Sequence, residues 1–227
     1  MEYYYTNKNN ELSARDVKPL KLKVCGMNKN TLQVAALKPD YLGFIFWEPS
    51  KRYFKGDMPS IPHSIKKVGV FVDASILEIK KLSKEFGLLY AQLHGNESPS
   101  FCDELKKKLP QLKVIKVFSI KDDFDFNQLR HFEDVCDFYL FDTKGKLPGG
   151  NGYAFDWSIL KNYPSTKPYF LSGGVGLEEL ESIHEFLKRP ESKYCHVIDV
   201  NSKFEVEPGL KNIDKIKEFK ESLTDNE

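Results

Sequence analysis

Residues 66–94 read KKVGVFVDASILEIKKLSKEFGLLYAQLH, and this stretch decides the fold class. KKVGVFVD (66–73) and LLYAQLH (88–94) are short apolar and aromatic runs of strand character. Between them, SILEIKKLSKEFG (75–87) sets Ile76, Ile79 and Leu82 on one helical face with lysines elsewhere. It stops at Gly87, a residue that tolerates the left-handed backbone of a helix end. Strand, helix, strand is the unit.

The rhythm recurs in both directions. Strands are predicted at LKLKVCG (20–26), DYLGFIF (40–46), KVIKVFS (113–119), DFYLFDT (137–143), KPYFLSG (167–173) and YCHVIDV (194–200). LEELESIHEFLKR (177–189) and NIDKIKEFKESL (212–223) repeat the amphipathic helical pattern, the second as a docking last helix. The weakest helical segment, GDMPSIPHSIKK (56–67), carries two prolines and is expected to be short or irregular. Eight strands, each followed by helical sequence, suit a closed (β/α)8 TIM barrel of the α/β class better than an open doubly wound sheet. No GxGxxG follows the first strand, which removes the main reason to expect a dinucleotide fold. The barrel is assigned to residues 19–227 as one domain, after a polar extension of residues 1–18 that is expected to be disordered.

Composition narrows the function classes. In 227 residues, 34 basic side chains nearly cancel 33 acidic ones, and the resulting charge of +1 argues against a nucleic-acid surface. No apolar run approaches the ~18 residues that span a bilayer. The start, MEYYYTNKNNELSARD, lacks the features of a secretory signal, so neither membrane nor secretion is expected, and the protein is placed in the cytoplasm. Cys25, Cys102, Cys136 and Cys195 form no CxxC and the histidines no HExxH, so no metal is expected. Monomer and homodimer both stay open.

In such a barrel chemistry belongs at the C-terminal ends of the strands. The first strand ends in Cys25-Gly26; a thiol there serves as nucleophile or base, although a small buried residue is the commoner reading of a lone cysteine. After the second strand, WEPSKRYF brings Lys51 and Arg52 over the mouth. Arg52 is the sharper candidate, because a guanidinium can grip a carboxylate through two parallel hydrogen bonds, against the alternative of a solvated charge. Gln92 and His94 share one side of the fourth strand, as ligand contacts or as a structural pair. Asp142 ends the sixth strand ahead of the glycine-rich TKGKLPGGNGYAF and is the best acid candidate; Phe155 and Trp157 suggest an apolar setting, and a cap or a partner for Lys144 is the alternative. Ser172-Gly173-Gly174 and Asp199-Val200-Asn201-Ser202 end the last two strands, where phosphate is most often held on backbone N–H groups. Singly, each is also compatible with an ordinary tight turn.

Taken together, KVCGM, LGFIFWEPSKRY, VGVFVD, AQLHGNE, FDTKGKLPGGNGYAFDW, FLSGGV and VIDVNSKFEVEPGLKNIDKI closely resemble the phosphoribosylanthranilate isomerase family, in order and spacing from about Leu20 to the last helix. The resemblance implies a cofactor-free Amadori rearrangement of a small phosphosugar anthranilate in tryptophan biosynthesis. It implies Cys25 as general base, Asp142 as general acid and Arg52 as receptor for the anthranilate carboxylate. Asp199 matches a rim aspartate that orients sugar hydroxyls, and Gln92 and His94 join the substrate contacts. Gly173, Gly174, Asn201 and Ser202 match phosphate-binding segments; Gly149, Gly150 and Gly152 match the sixth loop that encloses the substrate. One position departs: Lys203 stands where the family usually has glycine. It is expected either to strain a backbone that needs positive φ or to give its charge to the phosphate. Two rivals stay open, a phosphosugar isomerase of the histidine pathway on the same barrel and a barrel that has lost catalysis and only binds. The Cys25, Arg52 and Asp142 set speaks against both.

Overall fold

A computed structural model of the chain describes residues 20–120, 124–143 and 156–224. Eight parallel strands close into a barrel in sequence order: β1 (Lys21–Val24), β2 (Tyr41–Ile45), β3 (Lys66–Phe71), β4 (Tyr90–Leu93), β5 (Lys113–Ile120), β6 (Phe138–Thr143), β7 (Tyr169–Ser172) and β8 (Cys195–Val200). Each lies within or next to its sequence assignment. The ring closes where β1 pairs with β8, setting Lys23 beside Asp199.

The outer layer is less regular than the sequence rhythm implies. α1 (Thr31–Ala36) follows β1, α2 (Ile76–Phe86) follows β3, and α3 (Pro99–Lys108) follows β4. α2 starts on Ser75, whose hydroxyl accepts the Glu78 N–H, and ends on Gly87 at φ 62°. α3 starts on Ser98 with Pro99 in its first turn, where a missing N–H costs nothing. After β2 there is no helix at all between residues 56 and 65, so the expectation of even a short one there is corrected. Pro59 and Pro62 deny that stretch its hydrogen-bond ladder, and Met58 and Ile61 pack on the core as coil instead. The coverings of β5 and β6 are 3-10 turns, Phe126–Phe132 and Trp157–Asn162. β7 leads through Leu177–Glu179 into α4 (Leu180–Leu187). β8 leads through a turn, Ser202–Phe204, into a small hairpin, β9 (Glu205–Glu207) and β10 (Leu210–Lys211), before α5 (Ile213–Thr224). No described helix is long and apolar enough to cross a membrane.

Two apolar regions hold this together. Tyr41, Val68, Ile115, Val117, Leu140, Phe170 and Val197 form a separate buried cluster with Tyr90 and Phe138 packed on it, the plug of the barrel interior. The larger cluster lies between the strands and their coverings. The register between β7 and β8 slips by one residue, with Tyr169 opposite Cys195 but Phe170 opposite Val197. His196 is the extra residue; it stacks on Phe138 at 5.6 Å between ring centres and reaches Tyr41 Oη at 3.4 Å. α5 seals the ring through buried Ile216 and through Phe219, which meets Phe204 edge to face at 5.0 Å.

That last contact anchors the chain just after Lys203, and a truncation there empties a buried site. Phe219→Ala is expected to cost ~3–5 kcal/mol in urea unfolding, the range for a buried phenylalanine. An unchanged midpoint would show that α5 does not carry the loop after β8.

Candidate active site

Alternation along β1 separates Leu22 and Val24 from Lys23 and Cys25. Lys23 is fully buried, and an ammonium there needs partners. It donates to Asp199 Oδ2 at 2.6 Å and to Gln92 Oε1 at 2.8 Å, joining three strands. Burial works against its charge, but Asp199 and Cys25 outweigh that, and its pKa lies above the ordinary lysine value. Asp199 Oδ1 is buried and without a hydrogen-bond partner among the described residues.

Cys25 sits just beyond, itself buried. Its space depends on Gly43 of β2: a Cβ there would lie 2.7 Å from Cys25 Sγ and 3.2 Å from Lys23 Cε. Burial raises the thiol pKa; Lys23 and Lys211 pull it back and Asp199 pushes it further up, leaving the thiol above its ordinary value. At neutral pH the side chain is therefore a protonated thiol.

Asp142 ends β6 at the same rim, partly exposed, with His94 Nε2 3.5 Å from its Oδ2. It is near enough to Asp199 for that carboxyl to feel its charge. Gln92 and His94, read as one pair, are split between two tasks: the first is buried under Lys23, the second stands at the mouth beside Asp142. Trp157 packs edge to face on Phe186 at 5.4 Å, while Lys144 and Phe155 lie outside the described residues.

Arg52 is not a free loop charge. Its Nε and Nη2 hold Glu205 through contacts of 2.6–2.9 Å. Glu205 also accepts from the Gly209 N–H at 3.1 Å and from Lys211 Nζ at 2.8 Å. Burial pushes the Glu205 carboxyl up, but Arg52 and Lys211 overcome it and hold it below the usual carboxylate range. Glu205 takes two of the five guanidinium N–H groups, and among the described residues the Nη1 edge remains open to a second carboxylate. Gly26, at φ +73°, is what lets these groups meet behind Cys25: a Cβ there would stand 2.7 Å from Asn201 Oδ1 and 2.8 Å from Arg52 Cδ.

At the ends of β7 and β8, Gly173 and Gly174 take φ of 93° and 71°, conformations that suit backbone N–H groups turned towards an anion. Asn201 and Ser202 follow directly on β8, where the Asn201 side chain accepts from Lys211 Nζ at 2.8 Å. Lys203 corrects one expectation. Only Lys38 and Asp73 among the described non-glycine residues have positive φ, so Lys203 sits unstrained in the turn Ser202–Phe204. Its ammonium is paired with Glu178, at the start of the helical segment after β7. Gly149, Gly150 and Gly152 lie outside the described residues.

Three members of this site are absent from the sequence reading: Lys23, Glu205 and Lys211. Lys23 had a signal, a lysine alternating in phase with Cys25 on a strand that must be buried. Glu205 had none, because Arg52 lies 153 residues away, and Lys211 had none, because it lies past the last barrel strand and reaches the site only through the hairpin.

A thiol, a carboxyl, a guanidinium and paired glycines stand at the strand ends of one closed (β/α)8 barrel, the groups that acid–base chemistry on a small anionic substrate requires. Residues 22–222 match the family described as N-(5'phosphoribosyl)anthranilate (PRA) isomerase. An N-(5'-phosphoribosyl)anthranilate isomerase of Parabacteroides distasonis is 44% identical over 206 residues, covering 87% of this chain and 90% of that protein. The phosphoribosyl anthranilate isomerase structure from Thermotoga maritima superposes with a TM-score of 0.76 at 28% identity, covering 91% of this chain and 99% of that one. A further isomerase structure, solved with reduced 1-(o-carboxyphenylamino)-1-deoxyribulose 5-phosphate, gives 0.73 at 25% identity, covering 91% and 99%. The chain belongs to the N-(5'-phosphoribosyl)anthranilate isomerase family.

The raised Cys25 pKa has a direct readout. Alkylation of Cys25 by iodoacetamide, followed by mass spectrometry against pH, is expected to reach half its maximal rate above ~8.5, the value for an unperturbed thiol. A half-point below that value would mean that the two lysines outweigh burial.

Proposed function

We propose that Cys25 and Asp142 carry out the family reaction in this chain, the isomerisation of N-(5'-phosphoribosyl)anthranilate to 1-(2-carboxyphenylamino)-1-deoxyribulose 5-phosphate in tryptophan biosynthesis. The observation that carries the reading is the placement of a buried thiol at the end of β1 and a carboxyl at the end of β6, on one rim. Asp142 gives its proton to the ribose ring oxygen; the C1′–O bond breaks and the anilino nitrogen lone pair forms the Schiff base. Cys25 acts as the thiolate, its own proton having passed to solvent water before the cycle; it takes the proton from C2′, and the C–H electron pair moves to form the enolamine. The Asp142 carboxylate then takes the O2′ proton and the Cys25 thiol gives its proton to C1′, which yields the ketone and returns both groups to their starting states, so the net change is an isomerisation.

The remaining residues orient the substrate. Arg52 receives the anthranilate carboxylate on its free edge. Asp199 Oδ1, buried without a partner among the described residues, is offered to a sugar hydroxyl, and meeting it recovers part of the ~1–3 kcal/mol that such an unmet acceptor costs. His94 orients Asp142. Gly173, Gly174, Asn201 and Ser202 hold the phosphate; Gly149, Gly150 and Gly152, outside the described residues, are assigned to the substrate by the family resemblance alone. Lys203 neutralises Glu178 at that end. The four cysteines are free thiols, which supports a reducing, cytoplasmic setting.

The assay is the fluorescence loss of freshly generated N-(5'-phosphoribosyl)anthranilate. Cys25→Ala and Asp142→Asn are each expected to lower kcat by about 10²- to 10⁴-fold, the usual worth of a general acid or base. Wild-type turnover by either variant would remove that residue from the reaction. Arg52→Ala is expected to weaken substrate binding by ~1.5–3 kcal/mol, the range for a hydrogen bond to a charged group. A Michaelis constant unchanged by that substitution would place the carboxylate elsewhere.

A further inference from the structure

Arg52 poses a problem as a carboxylate receptor, because it already carries a carboxylate. A guanidinium paired only with Glu205 is neutral overall and has little electrostatic attraction left for a second anion. The molecule holds a third charge at that point. Lys211, at the end of the β9–β10 hairpin, is fully buried, and its Nζ lies 2.8 Å from Glu205 Oε1, 2.8 Å from Asn201 Oδ1 and 3.2 Å from Asn201 O. Its backbone is fixed as well: Asn30 accepts the Lys211 N–H at 2.9 Å and donates to the Lys211 carbonyl at 2.9 Å. Burial lowers the Lys211 pKa and Glu205 works against that; with Lys211 protonated, Arg52, Glu205 and Lys211 sum to one positive charge instead of none.

We infer that Lys211 is a positioning residue for the carboxylate end of the substrate: it shares the charge of Glu205, so that Glu205 can hold the Arg52 fork in place without cancelling it. The division of labour is visible in the contacts. Glu205 grips the Nε–Nη2 edge of Arg52 and so fixes the plane of the guanidinium, leaving the Nη1 edge out of this pair. Lys211 meets Glu205 at Oε1, the oxygen that Arg52 Nε also reaches, and is shut off from solvent, where its charge is least screened. The inference rests on Arg52 as the carboxylate receptor, and its failure has to be separable from the failure of that assignment.

Two ligands make the separation, measured by titration calorimetry: reduced 1-(o-carboxyphenylamino)-1-deoxyribulose 5-phosphate and its phenylamino counterpart without the carboxylate. Lys211→Met is expected to weaken the first about tenfold or more and the second less than about threefold. Because Lys211→Met leaves Glu205 short of a buried partner and endangers folding, the same substitution is also made in a Glu205→Gln background, where no carboxylate is stranded. There the loss on going from Glu205→Gln to the double variant is expected to be smaller for the carboxylated ligand than the loss in the wild-type background, because no Glu205 charge is left to offset, and to stay below about threefold for the other ligand. Equal losses for both ligands would assign Lys211 to the phosphate loop through Asn201, and no loss in either background would make it inert; each overturns the inference. If the wild-type protein does not prefer the carboxylated ligand, the Arg52 assignment fails first.

Discussion

A lysine with no solvent exposure, in the middle of a barrel strand, constrains everything around it. An unpaired ammonium cannot be buried at tolerable cost, so Lys23 fixes Asp199 and Gln92 as its partners and through them the relative positions of β1, β4 and β8. Removing one partner of such a pair typically costs ~3–5 kcal/mol. The aromatic and β-branched plug forms a cluster of its own, while Cys25 follows β1, Asp142 lies near the end of β6 and Arg52 lies in the loop after β2. Asp199 divides its oxygens: one is committed to Lys23, and the other faces no protein donor among the described residues.

The charges at the mouth are managed in pairs. Lys23 answers Asp199, Lys211 answers Glu205, and Lys203 answers Glu178. Among the described residues, the Nη1 edge of Arg52 takes no part in these pairs. It is there that a substrate carboxylate would find a cation not already committed to a protein acid. An overall charge of +1 is no obstacle to such a ligand, because the binding forces are local and the cations that create them are mostly held in place by acids.

Much of this was legible in the order of residues. All eight strands announced themselves because a barrel strand is a short apolar run between breakers, and α2 did so through Ser75, its apolar face and Gly87. The segment after β2 was harder, since its spacing resembles a helix while Pro59 and Pro62 forbid one. Cys25, Asp142 and Arg52 could be picked out by type and strand-end position. The pairing of Arg52 with Glu205 could not, because the two are 153 residues apart and meet only when β8 closes on β1. Lys203 shows the opposite limit: its departure from the family pattern was plain, but whether it meant strain or charge depended on a backbone angle and on Glu178 from another loop.

The central claim is that one rim holds acid, base and two anion receptors in a fixed order. A crystal structure of this chain with reduced 1-(o-carboxyphenylamino)-1-deoxyribulose 5-phosphate tests it most directly. The expected density has the carboxylate on the free edge of Arg52 with Glu205 still in place, the phosphate at Gly173 and Gly174, and the C2′ carbon next to Cys25 Sγ. A ligand bound in the reverse direction, or one that displaces Glu205 from Arg52, would contradict it.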